Sequence, residues 1–109
     1  MDKFQVIICI VNSGYAEAAM EAAKKYGARG GTVIHGRGTA AKEAEKIFNI
    51  TIQPEKEILL ILVAETIKDA ILKSLYDAVG LDTPGQGIAF TLPVEDVVGL
   101  TSSKKQKNE

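Results

Sequence analysis

The 109-residue chain contains no tryptophan, one cysteine, one histidine and three prolines. A single cysteine, Cys9, cannot close an internal disulfide, so the fold is not a disulfide scaffold. A reducing compartment, the cytoplasm, is the expected location. Cys9 lies inside an apolar run and reads as a small buried hydrophobe. A lone histidine, His35, with no metal-binding partner at ligand spacing does not make a metal centre. A structural or ligand-contacting role is expected of it. An excess of charge is missing too: 13 basic residues against 14 acidic ones leave a net charge of −1. The basic surplus that marks a nucleic-acid surface is absent, and no nucleic-acid partner is expected. No apolar run reaches the roughly 18 residues that span a bilayer, so no direct membrane insertion is expected. Asp2 stands at the N-terminus with no basic segment and cleavage site, so no signal peptide is expected. No Ser–His–Asp set, Cys–His set or carboxylate pair stands out, and an enzyme is not expected.

What is present fits one globular domain: 46% hydrophobic and 25% charged residues over a length usual for a single core. The domain is read as residues 1–100, followed by a polar, lysine-rich tail at 101–109. Phe4–Val11 and Glu57–Ala64 are almost continuously apolar, as strands buried on both faces are. Tyr15–Tyr26 is alanine-rich, with Glu21 and Lys25 a favourable i,i+4 pair. Asn12, Ser13 and Gly14 offer caps before it, and Gly27 sits where a helix C-terminal glycine belongs. A second helix is expected after Thr66 as its cap, with Ile67, Ala70, Ile71, Ser74, Leu75 and Ala78 on one face and Gly80 at its end. Thr32–Ile34 and Ile88–Val94 complete four strands, and Pro93 points to an edge position for the last. The order βαββαβ is that of an α+β, ferredoxin-like fold, an antiparallel sheet with two helices on one face. The other sheet face would then be apolar and uncovered, which calls for self-association.

Residues 27–39 hold five glycines and two arginines around Thr32, Val33 and Ile34. Gly36, Arg37, Gly38 and Thr39 offer amides, a guanidinium and a hydroxyl, which suit a phosphate. The same residues also fit a plain glycine-rich turn with a solvated arginine. Residues 36–54 form a long irregular connection, in which Ile50 and Ile52 alternate with polar residues in strand-like fashion. Gly38–Gln53 is the segment expected to be most mobile. Lys42, Glu43, Glu45 and Lys46 read as its solvated face. Leu81–Gly87 is turn chemistry, in which Thr83 suits either a phosphate or a turn cap and Gln86 serves the turn.

These motifs resemble the P-II family of nitrogen regulatory signal-transduction proteins. The resemblance rests on the helix-end glycine and arginine, Gly27 and Arg29, before Gly30–Val33, on Gly36-Arg37-Gly38, on Pro54–Ile58, and on Gly85–Phe90 followed by Pro93–Val98. It covers residues 3–100. It implies a homotrimer that binds an adenine nucleotide in clefts between subunits. The family's T-loop corresponds to Arg37–Gln53 and its B-loop to Asp82–Gly87. Nucleotide contacts would come from Gly36, Arg37, Gly38, Thr39, Thr83, Gly85, Gln86 and Gly87. Lys42, Glu43, Lys46 and Phe48 would lie on the loop that meets a target protein, with a membrane transporter or a nitrogen-metabolism protein as a partner class. No resident cofactor or metal is implied. The chain departs from the family pattern in three places. Ile88 replaces a lysine, Val98–Thr101 replaces a stretch with two arginines, and Phe48 is the loop's sole aromatic where the family carries a modifiable tyrosine. AMP, ADP or a cyclic adenine nucleotide is therefore expected to bind at least as well as ATP. A CutA-type trimeric structural or metal-tolerance protein is the alternative with the same fold.

Overall fold

The computed structural model describes residues 3–39, 45–47 and 54–99. The elements are β1 (Phe4–Asn12), α1 (Ala16–Lys24), β2 (Thr32–Arg37), β3 (Glu55–Ala64), α2 (Glu65–Val79) and β4 (Ile88–Val94). The four strands form one antiparallel sheet in the order β2-β3-β1-β4. This is the expected ferredoxin-like arrangement, with β4 at an edge, where Pro93 costs no internal ladder bond. Three strands run past their expected ends. β1 continues through Asn12, β3 begins at Glu55, and β2 extends to Arg37. Pairing with β3 supplies partners for Gly36 and Arg37 that no local pattern announces.

Strand alternation divides the sheet into two faces. One carries Ile7, Cys9 and Val11 of β1 and Leu59, Ile61 and Val63 of β3, all buried beneath the helices. Small side chains at Ala16, Ala19, Ala22 and Ala23 bring α1 close to this face. Ile71, Leu75 and Val79 do the same work in α2, with Ile67 and Leu72 partly buried beside them. Ala70 and Ala78, expected on that seam, are exposed, because the buried stripe follows the i,i+4 row of larger residues. The helices meet each other through the Ser74 hydroxyl, which donates to the Ala22 carbonyl at 2.8 Å.

Both helix starts correct the sequence expectation. Neither N-cap residue, Tyr15 or Ala64, makes a side-chain capping bond. Asn12 belongs to β1, and Thr66 lies inside α2, which begins at Glu65. The first turn of α1 is capped instead from β3: Glu57 Oε1 accepts the amides of Gly14 at 2.9 Å and Ala16 at 3.0 Å. The C-terminus of α1 does behave as read, with Gly27 at φ +110°, a conformation that disfavours side chains.

Among the described residues, no helix covers the opposite face of the sheet. The register places Phe4, Val6, Ile8 and Ile10 on it, flanked by Ile58, Leu60 and Leu62 of β3. Ile88, Phe90, Leu92 and Val94 of β4 and Ile34 of β2 extend it to both edges. Ile88, Phe90 and Leu92 are 54%, 45% and 51% exposed in the single chain. A continuous apolar surface of this extent marks an association surface.

Candidate functional site

One end of the sheet gathers the C-terminal ends of β1 and β2 and the N-terminal ends of β3 and β4. Every described site residue expected from the sequence lies there, except Lys46 in the long connection. Two groups form, at opposite edges. Gly36 and Arg37 are the last residues of β2, followed by Gly38 and Thr39. Thr83, Gly85, Gln86 and Gly87 belong to the loop from α2 to β4. β3 and β1 stand between the groups, so roughly 14 Å separates the two edge strands. A single chain therefore does not close both around one ligand. Lys46 is exposed in a helical segment at 45–47. Lys42, Glu43, Phe48 and the strand-like reading of Ile50 and Ile52 lie outside the described residues, as does the tail at 101–109.

The expected cradle of free glycine amides is corrected by the hydrogen bonding. The Gly38 amide donates to the Pro54 carbonyl at 2.6 Å. Antiparallel alternation then turns the Gly36 amide toward β3 as well and leaves those of His35 and Arg37 on the open edge. In the second loop the Gln86 amide donates to Thr83 O at 2.9 Å and the Gly87 amide to Val79 O at 2.7 Å. The Gly85 amide donates to Thr83 Oγ1 at 3.2 Å, while that hydroxyl donates to Gly80 O at 2.7 Å. Thr83 thus caps the turn. A short connection between a helix and a strand satisfies its own backbone, leaving side chains as its main offering.

The two groups are linked by residues the sequence reading did not single out for the site. Asn12 is buried at 6% exposure. Its Nδ2 donates to Pro84 O at 2.9 Å and Gln86 Oε1 at 3.3 Å, and its backbone amide donates to Gly85 O at 2.8 Å. Its Oδ1 accepts from Lys56 Nζ at 2.7 Å. Lysine is only a donor and a carbonyl only an acceptor, so the orientation of the Asn12 amide is unambiguous. Gln86 adopts φ +44°, which places its side chain against Asn12. The sequence signal for Asn12 was present: it is the polar stop of an apolar run. Its partners, more than forty residues away, were not visible.

On the helix-bearing face of the same end, His35 stands opposite Glu57 and Arg37 opposite Glu55. Glu57 Oε2 lies 4.0 Å from His35 Nδ1. The Ala16 amide, helped by Gly14, His35 and Tyr15, holds the Glu57 carboxyl below its ordinary value of 4.5. The sign follows. A lowered folded-state pKa gives stability that is present above the unfolded value and is lost as pH falls through the folded one. Glu57→Gln is expected to cost about 1 kcal/mol, a typical cap loss. It should also flatten the decline of thermal stability below pH 4.5; melting curves from about pH 7 to about pH 3 check both.

A cavity of about 350 Å³ opens between α2 and β4, lined by Cys9, Leu75, Tyr76, Val79, Ile88 and Ala89 among others. Burial pushes the Cys9 thiol up to about 11, so it is neutral at physiological pH. Among the described residues, no three His, Cys, Asp or Glu side chains gather as metal ligands, and no helix is long and apolar enough to cross a membrane.

Comparison with known proteins agrees with this architecture. The family model for nitrogen regulatory protein P-II matches residues 4–104. No curated protein matches by sequence. Among solved structures, PII from Arabidopsis thaliana bound to citrate is 24% identical with a TM-score of 0.68. The match covers 90% of this chain and 83% of that one. A putative PII-like signalling protein from Thermus thermophilus is 21% identical with a TM-score of 0.64, over 86% of this chain and 90% of its own. At these identities the two structures establish the shared fold, while the family model spans nearly the whole domain. The chain belongs to the nitrogen regulatory protein P-II family.

Proposed function

We propose that this protein is a homotrimeric signal-transduction regulator that senses an adenine nucleotide in clefts between subunits and acts on a target protein through residues 38–53. Proteins of this family are trimeric regulators that bind targets. The observation that carries the reading is the apolar open sheet face, with both candidate loops at one end of it. Three sheets packed through such faces would set one subunit's 36–39 segment near another subunit's 82–87 loop. That would close the gap of roughly three strand spacings that a single chain leaves open. Arg37, Thr39 and Gln86 are the proposed side-chain contacts, with Thr83 holding the turn and Gly36, Gly38, Gly85 and Gly87 shaping the backbone around them. Lys42, Glu43, Lys46 and Phe48 are proposed to face the target, with a membrane transporter as one partner class. The protein acts by occupancy and contact, with no catalytic step.

Ligand choice follows from charge. Ile88 is a half-exposed apolar residue at the start of β4, and Gly99 carries no side chain. Each further phosphate brings charge that finds few partners. AMP, ADP or a cyclic adenine nucleotide is expected to bind at least as tightly as ATP. A charge-assisted hydrogen bond contributes about 1.5–3 kcal/mol, so Arg37→Ala should weaken the preferred nucleotide about tenfold or more. Calorimetry across the four nucleotides tests this. Tight ATP binding indifferent to Arg37→Ala would refute the assignment.

A further inference from the structure

Lys56 is the second residue of β3, and its register partners Asn12 and Gly36 place its side chain on the open, apolar face of the sheet. A lysine at a strand end normally extends its ammonium into water. This one is half-buried and lies back along the sheet. A Cβ at Gly38 would stand 3.1 Å from its Cε, while its Nζ lies 2.7 Å from Asn12 Oδ1. The stem thus fits against the bare backbone of Gly38, and the charged head reaches the residue that anchors the 82–87 loop. Among the described residues, Lys56 is the side chain that spans from the 36–39 segment toward that loop.

Its surroundings differ from those of Arg37, although neither forms an ion pair among the described residues. Arg37 emerges on the other face, with Glu55 directly opposite across the strand pair. For Lys56, no carboxylate oxygen lies within the 4.0 Å ion-pair distance among the described residues. Its hydrogen-bond partner is a neutral amide oxygen. A partly desolvated ammonium held by a neutral acceptor retains two donor protons and an unneutralised charge. Asn12 cannot turn away without abandoning Pro84 and Gln86, so the oxygen that receives the ammonium is fixed in place before any ligand arrives.

The geometry points to Lys56 as the cation that receives the negatively charged end of the ligand in the cleft. That end would be a multivalent oxyanion, either a nucleotide's phosphate chain or a free di- or tricarboxylate. This rests on the reading of this end of the sheet as the ligand cleft. Lys56 would then supply, from β3, positive charge that the chain lacks at Ile88, Val98 and Gly99.

Calorimetry on the full chain with ADP, pyrophosphate and citrate as probes, for the parent, K56Q and K56R at several salt concentrations, tests the assignment. At least one probe is expected to bind the parent. K56Q should weaken it tenfold or more and make log affinity less steep against log salt, while K56R keeps both near the parent values. A merely structural Lys56 would not alter the salt slope. K56Q that binds every probe like the parent overturns the assignment, as does a parent that binds none of them. If pyrophosphate or citrate binds through Lys56 and ADP binds no tighter than pyrophosphate, the adenine reading falls and the Lys56 assignment stands. If ADP binds tightly and K56Q leaves it unchanged, the reverse holds. Should K56Q not fold, the Lys56 Nζ resonance of the parent, followed by NMR through the same titrations, decides. A shift at saturation supports the assignment and an unmoved resonance overturns it.

Discussion

Ile8→Glu is expected to convert the protein from a trimer to a monomer. Ile8 stands on the open sheet face, paired with Leu60 of β3 on one side and Phe90 of β4 on the other. Val6, Ile10, Ile58 and Leu62 continue the surface along both inner strands. In an assembly built on this face, a glutamate at Ile8 would sit at its centre with no cation beside it, since Lys56 is four residues along β3 from Leu60. Burying an unpaired carboxylate costs several kcal/mol per subunit, and it enters every copy of a symmetric assembly. The helix-bearing core does not contain Ile8, so the single chain keeps its fold. Light scattering at micromolar concentration checks the outcome: the parent should have the mass of three chains and I8E that of one. A monomeric parent, or an I8E variant that remains trimeric, would show that the sheet face is not the interface.

The second large effect is expected from Gly87→Ala. Gly87 lies in the last turn before β4, with an amide that donates to Val79 O at 2.7 Å. A Cβ there would stand 2.5 Å from that same carbonyl oxygen and 2.9 Å from Val11 Cγ1. Neither neighbour can yield easily. The carbonyl ends α2, and Val11 is fully buried. Relief requires moving β4 away from α2, which would also disturb the Gly85 and Gln86 bonds to Asn12. Overpacking of this kind costs about 3 kcal/mol at its upper range, which lowers the melting temperature of a domain this size by about 12 °C or more. Gly30→Ala is the matched control. Nothing lies within 4 Å of its Cβ position, and its φ lies outside the glycine-favouring range, so its effect should be neutral or slightly stabilising. Melts of both variants at one protein concentration give the comparison. Equal melting temperatures would contradict the close approach at Gly87.

Much of the fold was legible because it rests on local patterns. The apolar runs at Phe4–Val11 and Glu57–Ala64 are strands because a segment buried on both faces tolerates no polar alternation. The alanine-rich stretch and Gly27 delimit α1 for reasons of propensity and backbone freedom, and Gly80 ends α2. The motifs around Gly36–Gly38 and Gly85–Phe90 sufficed to identify the family. What local pattern could not supply were interactions between distant segments. The cap on α1 comes from Glu57, 43 residues beyond Gly14. The length of β2 depends on partners in β3. The amides of Gly38, Gly85 and Gly87 looked free because glycine reveals only that a backbone can bend, while the groups that accept from them lie across the sheet or a turn away.

The placement of charge at the candidate site divides in the same way. The count of cations near the motifs is a property of the sequence: Arg37 present, Ile88 and Gly99 uncharged. Which groups each cation faces is a property of register. One residue of strand offset sends Arg37 to the face that bears Glu55 and Glu57, and Lys56 to the face that bears Asn12 and the apolar sheet surface. Side chains alternate with a period of two, so faces are assigned only once strands are paired. Strand and helix types, the glycine punctuation and the family were therefore determined by the sequence. The Asn12–Lys56–Gln86 linkage, the origin of the helix cap and the separation of the two loops by two inner strands were decided by tertiary pairing, because each joins residues that only the sheet order brings together.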